Sequence, residues 1–331
     1  MPASYPDATR GVETRETRFS WVFLTDRFAY KLKKPATTRH FDFSTPALRR
    51  VECESELRLN ARLAPGIYLE LLPLVHTLDQ RLRLGGEGDV VDWLVKMHRL
   101  PAERLLDTAI QAGTLRSTEI ESIAERLVAF YGAASPVSLA ADDYLSRFAD
   151  EQAESRQVLC NPAFGFDLTE VGTLLGAVDD VLRVESGLLL VRLTERRIVE
   201  GHGDLRPEHI YLGDPPAAID CLEFSRRLRL LDPFEELAFL GMECAVLGAA
   251  WVGQLLIAAC MARLSDPVPD RLVDFYAAFR AAMRARQAAT HLLDAMPREP
   301  QKWHPLARRY IAIGGQYAAR LGKCKCSTSR P

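Results

Sequence analysis

Glu200 to Phe224 reads E-G-H-G-D-L-R-P-E-H-I-Y-L-G-D-P-P-A-A-I-D-C-L-E-F. Two short apolar runs, Ile210–Leu212 and Ala217–Ile219, read as strands. Asp214-Pro215-Pro216 between them reads as a turn, because proline presets φ and aspartate favours turn starts. Such a hairpin brings the loop before its first strand close to the end of its second. Asp204, in that loop, and Asp220, at that end, then converge on one cleft with His209 beside them. Two carboxylates in this arrangement suit phosphoryl transfer, where one orients the incoming hydroxyl and the other holds a metal on the nucleotide phosphates.

The segment resembles the catalytic and metal-binding segments of the aminoglycoside phosphotransferase-like kinases, where H-G-D-x-x-x-x-N is followed by I-D. The resemblance places Asp204 on the catalytic aspartate and Asp220 on the metal-binding one. It implies an α+β, two-lobed protein-kinase-like fold, with a small β-rich N-lobe over residues 1–97 and a large helical C-lobe over residues 98–331. It also implies ATP and Mg²⁺ as cofactors and a small-molecule hydroxyl acceptor. His209 stands where the family usually has asparagine. Mg²⁺ prefers oxygen, so an imidazole here favours a softer ion such as Mn²⁺ or a contact through water.

Upstream, Phe19–Leu24 and Phe28–Leu32 read as strands joined at Thr25-Asp26-Arg27. Phe28-Ala29-Tyr30-Lys31 resembles the third-strand V-A-I-K of kinases, which makes Lys31 the phosphate-contacting lysine. Lys33 shares its strand face and is the alternative. No G-x-G-x-x-G precedes it, so Thr17, Arg18 and Ser20 are the expected donors to phosphate. Pro46–Ala64 reads as a helix capped by Ser44 or Thr45, with Val51, Leu57, Leu59 and Leu63 apolar. Glu56 on it is the expected partner of Lys31, and Glu52 the second choice. Val90–Met97 reads as the last strand of the small lobe, with Val95, Lys96 and Met97 beside the adenine.

The E-T-R-F-S-W-V-F-L stretch resembles an E-T-H-x-S-W-V-F-L motif of a bacterial branch of these kinases, often fused to a nucleotide-binding ATPase domain. No G-x-x-x-x-G-K-[ST] occurs in the 331 residues, so the chain reads as the standalone form. From Pro101 onward helices dominate. His202 is expected to hold the loop, and Arg206 to face the transferring phosphoryl group or solvent. Glu223 is expected to bind a second metal or substrate, or to pair with Arg226 or Arg227. Glu236 opens an E-L-A helix and is expected to tie down the catalytic loop. Arg280, Arg284 and Arg286 read as a solvated basic face.

Composition bounds the alternatives. The chain is 48% hydrophobic and 26% charged with a net charge of −2, which gives no electrostatic case for nucleic acid or a membrane surface as partner. Seven cysteines without a signal-peptide pattern suggest a reducing, cytoplasmic setting. Cys324-Lys325-Cys326 reads as an incidental tail. The charge-free run Cys244–Ala262 carries Gly248, Gly253 and Gln254, so it reads as a buried helix pair rather than a membrane span. Two other functions fit the same residues: a nucleotide-binding pseudokinase, and a protein kinase or nucleotidyl transferase on the same fold. Oligomeric state is unknown.

Overall fold

A computed structural model describes residues 4–7, 9–38, 40–79, 81–293 and 299–323. The Cys324-Lys325-Cys326 tail lies outside the described residues. In chain order the elements are β1 (Glu13–Glu16), β2 (Ser20–Leu24), β3 (Phe28–Lys33), α1 (Pro46–Asn60), β4 (Tyr68–His76), β5 (Leu82–Leu84) and β6 (Asp89–His98). There follow α2 (Leu106–Gln111), α3 (Ser117–Ala133), α4 (Ala141–Leu159), α5 (Leu168–Val184), α6 (Gly187–Thr194), β7 (Val199–Glu200), β8 (Ile210–Tyr211) and β9 (Ala217–Ala218). The chain closes with α7 (Arg226–Arg229), β10 (Leu230–Leu231), α8 (Pro233–Val246), α9 (Ala250–Leu264), α10 (Asp270–Thr290) and α11 (Pro300–Lys323).

Packing separates two compact units. The first comprises Met1–Thr108, His202–Asp204 and Glu208–Arg229; the second comprises Ala109–Gly201, Leu205–Pro207 and Leu230–Pro331. The first unit is built on an antiparallel sheet of order β1-β2-β3-β6-β4-β5. Strand β3 shows why it forms: Phe28, Tyr30 and Leu32 point to one face, where they pack with Leu84, Leu94, Leu72 and Leu74. The two-residue period then sends Lys31 and Lys33 to the other face, toward α1. Thr45 caps α1, its hydroxyl accepting the Leu48 N–H, and Pro46 starts it.

The buried face of α1 is polar, which the sequence reading did not anticipate. Arg49, Cys53, Glu56, Leu59 and Asn60 are buried while Val51 is exposed. Each buried polar group has a partner, as desolvation requires. Arg49 makes a bidentate pair with Asp92 of β6 at 2.9 and 2.8 Å.

The second unit is helical. Helix α10 packs against α11, α8, α4 and α5, with Phe148 of α4 ringed by Phe275, Tyr276 and Phe279. The charge-free run is indeed two helices, α8 and α9, broken at Leu247–Ala249. They approach so closely that a Cβ added to Gly241 would stand 2.8 Å from the Gly253 Cα. No helix of the described residues is long and apolar enough to cross a membrane.

One expectation is corrected. Arg280 and Arg286 are buried rather than solvated. Arg280 and Arg147 share the buried Glu235, Arg286 bonds Glu151 and Glu154, and Arg284 bonds Glu243. A guanidinium is weakly hydrated and forks onto carboxylates, so these arginines enter the helical core already paired. A further buried cluster sets Arg192 against Asp232 and Asp266.

Candidate active site

The hairpin forms as the turn chemistry predicts, with Ile210 opposite Ala218 and Tyr211 opposite Ala217. Gly203 turns the chain ahead of Asp204 at φ +89, and a Cβ there would meet Leu222 at 2.9 Å, so only glycine fits. His202 is fully buried. Its Nε2 is 2.9 Å from the Ile219 carbonyl, and its Nδ1 accepts the Asp204 N–H at 3.3 Å. A carbonyl only accepts, so Nε2 carries the proton and Nδ1 the lone pair. One neutral ring therefore pins the backbone of Asp204 to the residue before Asp220. Burial, and then the neighbouring His209, lower its pKa to about 4.

Asp204 and Asp220 converge on His209. Its Nδ1 donates to the Asp204 main-chain carbonyl at 2.8 Å and lies 3.7 Å from the Asp204 carboxylate. Its Nε2 lies 3.6 Å from Asp220 Oδ2. The same reasoning fixes this ring: the hydrogen bond to a carbonyl puts a proton on Nδ1, and in the neutral form the Nε2 lone pair faces Asp220.

Four charged groups form a chain behind Asp220. Lys31 Nζ donates to Asp220 Oδ1 at 2.6 Å and to Glu56 Oε1 at 2.9 Å. Lys33 Nζ donates to Glu56 Oε2 at 2.7 Å and also bonds Glu223. Glu56 thus gives one oxygen to each lysine. Glu223 pairs with Lys33, the partner on β3 that the sequence reading did not name. Burial pulls the Lys31 ammonium down, but Asp220, Glu56 and Glu223 reverse this and hold it well above its usual value. Burial raises the Asp220 and Glu56 carboxyls, yet Lys31 leads the charges that bring both below the ordinary range.

Residues that sequence reasoning missed hold Asp220 in place. Asn60 Oδ1 accepts the Cys221 N–H at 2.9 Å while its Nδ2 donates to the Glu56 carbonyl at 2.9 Å. The Tyr68 hydroxyl accepts the Asp220 N–H at 3.0 Å. Asp220 itself has φ +58, a left-handed conformation that aspartate tolerates better than most residues. Asn60 ends the E-L-R-L-N segment of α1, and its place one helical turn after Glu56 was the available signal.

The remaining expected site residues are more dispersed. Thr17 and Ser20 close the turn between β1 and β2, Thr17 N–H meeting the Ser20 carbonyl at 2.8 Å and Ser20 N–H the Thr17 hydroxyl at 3.0 Å. The turn tip Phe19 packs edge-on against Phe41, which also meets Phe224. Val95 and Met97 lie inside β6, between β3 and β4, where Val95 sits opposite Lys31. Lys96 bonds Asp7 and Glu70. Arg206 is half-buried and belongs to the second unit. There Glu236 accepts a bond from Tyr131 at 2.8 Å.

A metal ion fits this donor set in a limited way. No group of three or more His, Cys, Asp or Glu side chains able to hold an ion exists among the described residues. Asp220 and His209 could offer two donors to an ion whose sphere nucleotide phosphates and water would complete.

No family model matches the chain. Uncharacterised proteins of Mycobacterium tuberculosis and Mycobacterium bovis are 32% identical to it over 292 residues, 86% of this chain and 56% of theirs. The chain therefore spans about half the length of the curated relatives it matches. Among solved structures it resembles a choline kinase from Cryptosporidium parvum, with a TM-score of 0.59 at 9% identity, covering 96% of this chain and 91% of that one. It resembles a choline/ethanolamine kinase family protein from Mesorhizobium loti at TM-score 0.52 and 15% identity, over 99% and 93% of the two chains. It also resembles a thermostable mutant of an aminoglycoside phosphotransferase bound to AMP-PNP and hygromycin B, at TM-score 0.53 and 10% identity, over 97% and 96%. The chain has the protein-kinase-like α+β fold that these structures share.

Proposed function

We propose that the protein is an ATP-dependent phosphotransferase acting on a hydroxyl of a small molecule. The observation that carries this reading is Lys31, held between Glu56 and Asp220 with Asp204 one imidazole away. This is the charge arrangement phosphoryl transfer requires. The fold supports it, since the neighbours of this fold are kinases of small molecules.

In the proposed reaction Lys31 keeps Glu56 and exchanges Asp220 for phosphate oxygens. Asp220, with His209, would hold the divalent metal, whose charge would offset that of the nucleotide phosphates. Asp204 orients the acceptor hydroxyl. The acceptor oxygen bonds to the γ-phosphorus as the bond to the ADP oxygen breaks, and the hydroxyl proton passes late to the Asp204 carboxylate. Arg206 is assigned to the transferring phosphoryl charge. The Thr17–Ser20 turn is assigned to phosphate, and the end of β6 at Val95 and Met97 to the adenine edge.

The test is transfer of labelled γ-phosphate from ATP into a metabolite pool. Wild type labels a small molecule, and Asp204→Asn lowers the rate by roughly 10²–10⁴ with nucleotide binding intact. Nucleotide binding without turnover under Mg²⁺ or Mn²⁺ makes the protein a binding module. γ-Label on protein makes it a protein kinase instead, and γ-label released as pyrophosphate makes it a nucleotidyl transferase.

A further inference from the structure

The five linked charges form a line: Asp220, Lys31, Glu56, Lys33, Glu223. Its two ends differ. The Asp220 side chain is 41% exposed and that of Glu223 only 10%. Lys33 is 1% exposed, and its ammonium also lies 5.3 Å from the centre of the Phe43 ring. The Glu223 end is thus closed by protein, and a cation already sits on it.

We propose that the Lys33 ammonium is a built-in second cation of this site: it occupies Glu223, so that a single metal ion, on Asp220 and His209, serves the reaction. The inference rests on the phosphotransferase reading above. Three arguments support it. First, an incoming ion keeps waters and phosphate oxygens around it, and while the Lys33 ammonium fills the Glu223 end only the open Asp220 end has room for them. Second, two ammoniums against three carboxylates leave one negative charge, which one divalent ion more than balances. Without Lys33 the same groups would carry two negative charges and a free carboxylate. Third, Glu56 is fully buried with an oxygen on each lysine. Lys33 therefore keeps Glu56 in place whichever partner Lys31 takes, and acts as a positioning residue as well.

The experiment counts Mn²⁺ ions bound per protein–AMP-PNP complex by electron paramagnetic resonance. The expected result is one ion for wild type, one for Lys33→Arg and two for Lys33→Met. Two ions in wild type overturn the proposal, as does a single ion in a folded Lys33→Met. Should Lys33→Met fail to fold, Glu223→Gln decides. Its Mn²⁺ affinity is expected to be unchanged, and a loss of roughly tenfold or more, as expected for a metal ligand or its close support, overturns the proposal. Wild type that binds no AMP-PNP with any metal would sink the phosphotransferase reading, and this inference with it. AMP-PNP bound with two ions would sink the Lys33 inference alone.

Discussion

At the scale of single residues the site is governed by which proton sits on which nitrogen. His202 satisfies Ile219 and Asp204 only as the neutral ring protonated on Nε2, because a second proton on Nδ1 would point at the Asp204 N–H. Its pKa falls from an unfolded value of ~6.5 to about 4. Between those values the unfolded chain binds a proton that the folded chain refuses. Stability therefore drops as pH falls from about 6.5 toward 4, by an amount on the order of 3 kcal/mol, and this contribution is flat below. Urea unfolding at a series of pH values should show that part of the acid sensitivity in wild type and its absence in His202→Gln. An unchanged pH slope in the variant would mean that His202 is not held neutral. Lys31, Glu56 and Asp220 are all held in their charged forms by one another. Their mutual stabilisation spans the neutral range and weakens only at the acid and alkaline extremes.

At the scale of elements, α1 does two jobs with one polar face. Glu56 serves the lysines of β3, while Asn60, one turn on, reaches the segment after β9. The helix was legible from Pro46 and its cap, and Glu56 from the motif that includes it. The polarity of its buried face was not, because the expected face followed Val51 and Leu57. An apolar periodicity finds what packs on a hydrophobic layer, and here the layer is the charged face of β3. Asn60→Ala leaves the Cys221 N–H buried without its acceptor, which costs roughly 1–3 kcal/mol. The loss should appear in equilibrium unfolding, together with weaker nucleotide-dependent thermal stabilisation, since Asp220 adjoins Cys221. A variant as stable and as responsive as wild type would show that this bond contributes nothing. The hairpin itself was legible at once, since Asp-Pro-Pro between two apolar runs leaves little freedom.

At the scale of the whole molecule, the helical unit depends on ion pairs that have left water. Arg192 is 3% exposed and bridges Asp232 and Asp266, with contacts of 2.6 Å to each. Asp232 also caps α8 through the Phe234 N–H. Removing the cation strands two buried carboxylates, so Arg192→Met should destabilise by roughly 3–5 kcal/mol, read as a lower unfolding midpoint in urea. A midpoint near wild type would show the cluster to be dispensable. The sequence by itself determined the Asp204–Asp220 hairpin and the main strands and helices around it, because turns, periodicity and short motifs are local; the Lys31–Glu56 pairing came from the kinase resemblance, with Lys33 and Glu52 as alternatives. Only the tertiary structure decided that Lys33 shares Glu56 and holds Glu223, that Asn60 and Tyr68 anchor the Asp220 segment, and that Arg280 and Arg286 of α10 are buried. Their partners lie far off along the chain, 161 residues from Asn60 to Cys221 and 190 from Lys33 to Glu223. Whether a charge is solvated or paired depends on what packs over it, and that is fixed only when distant segments meet.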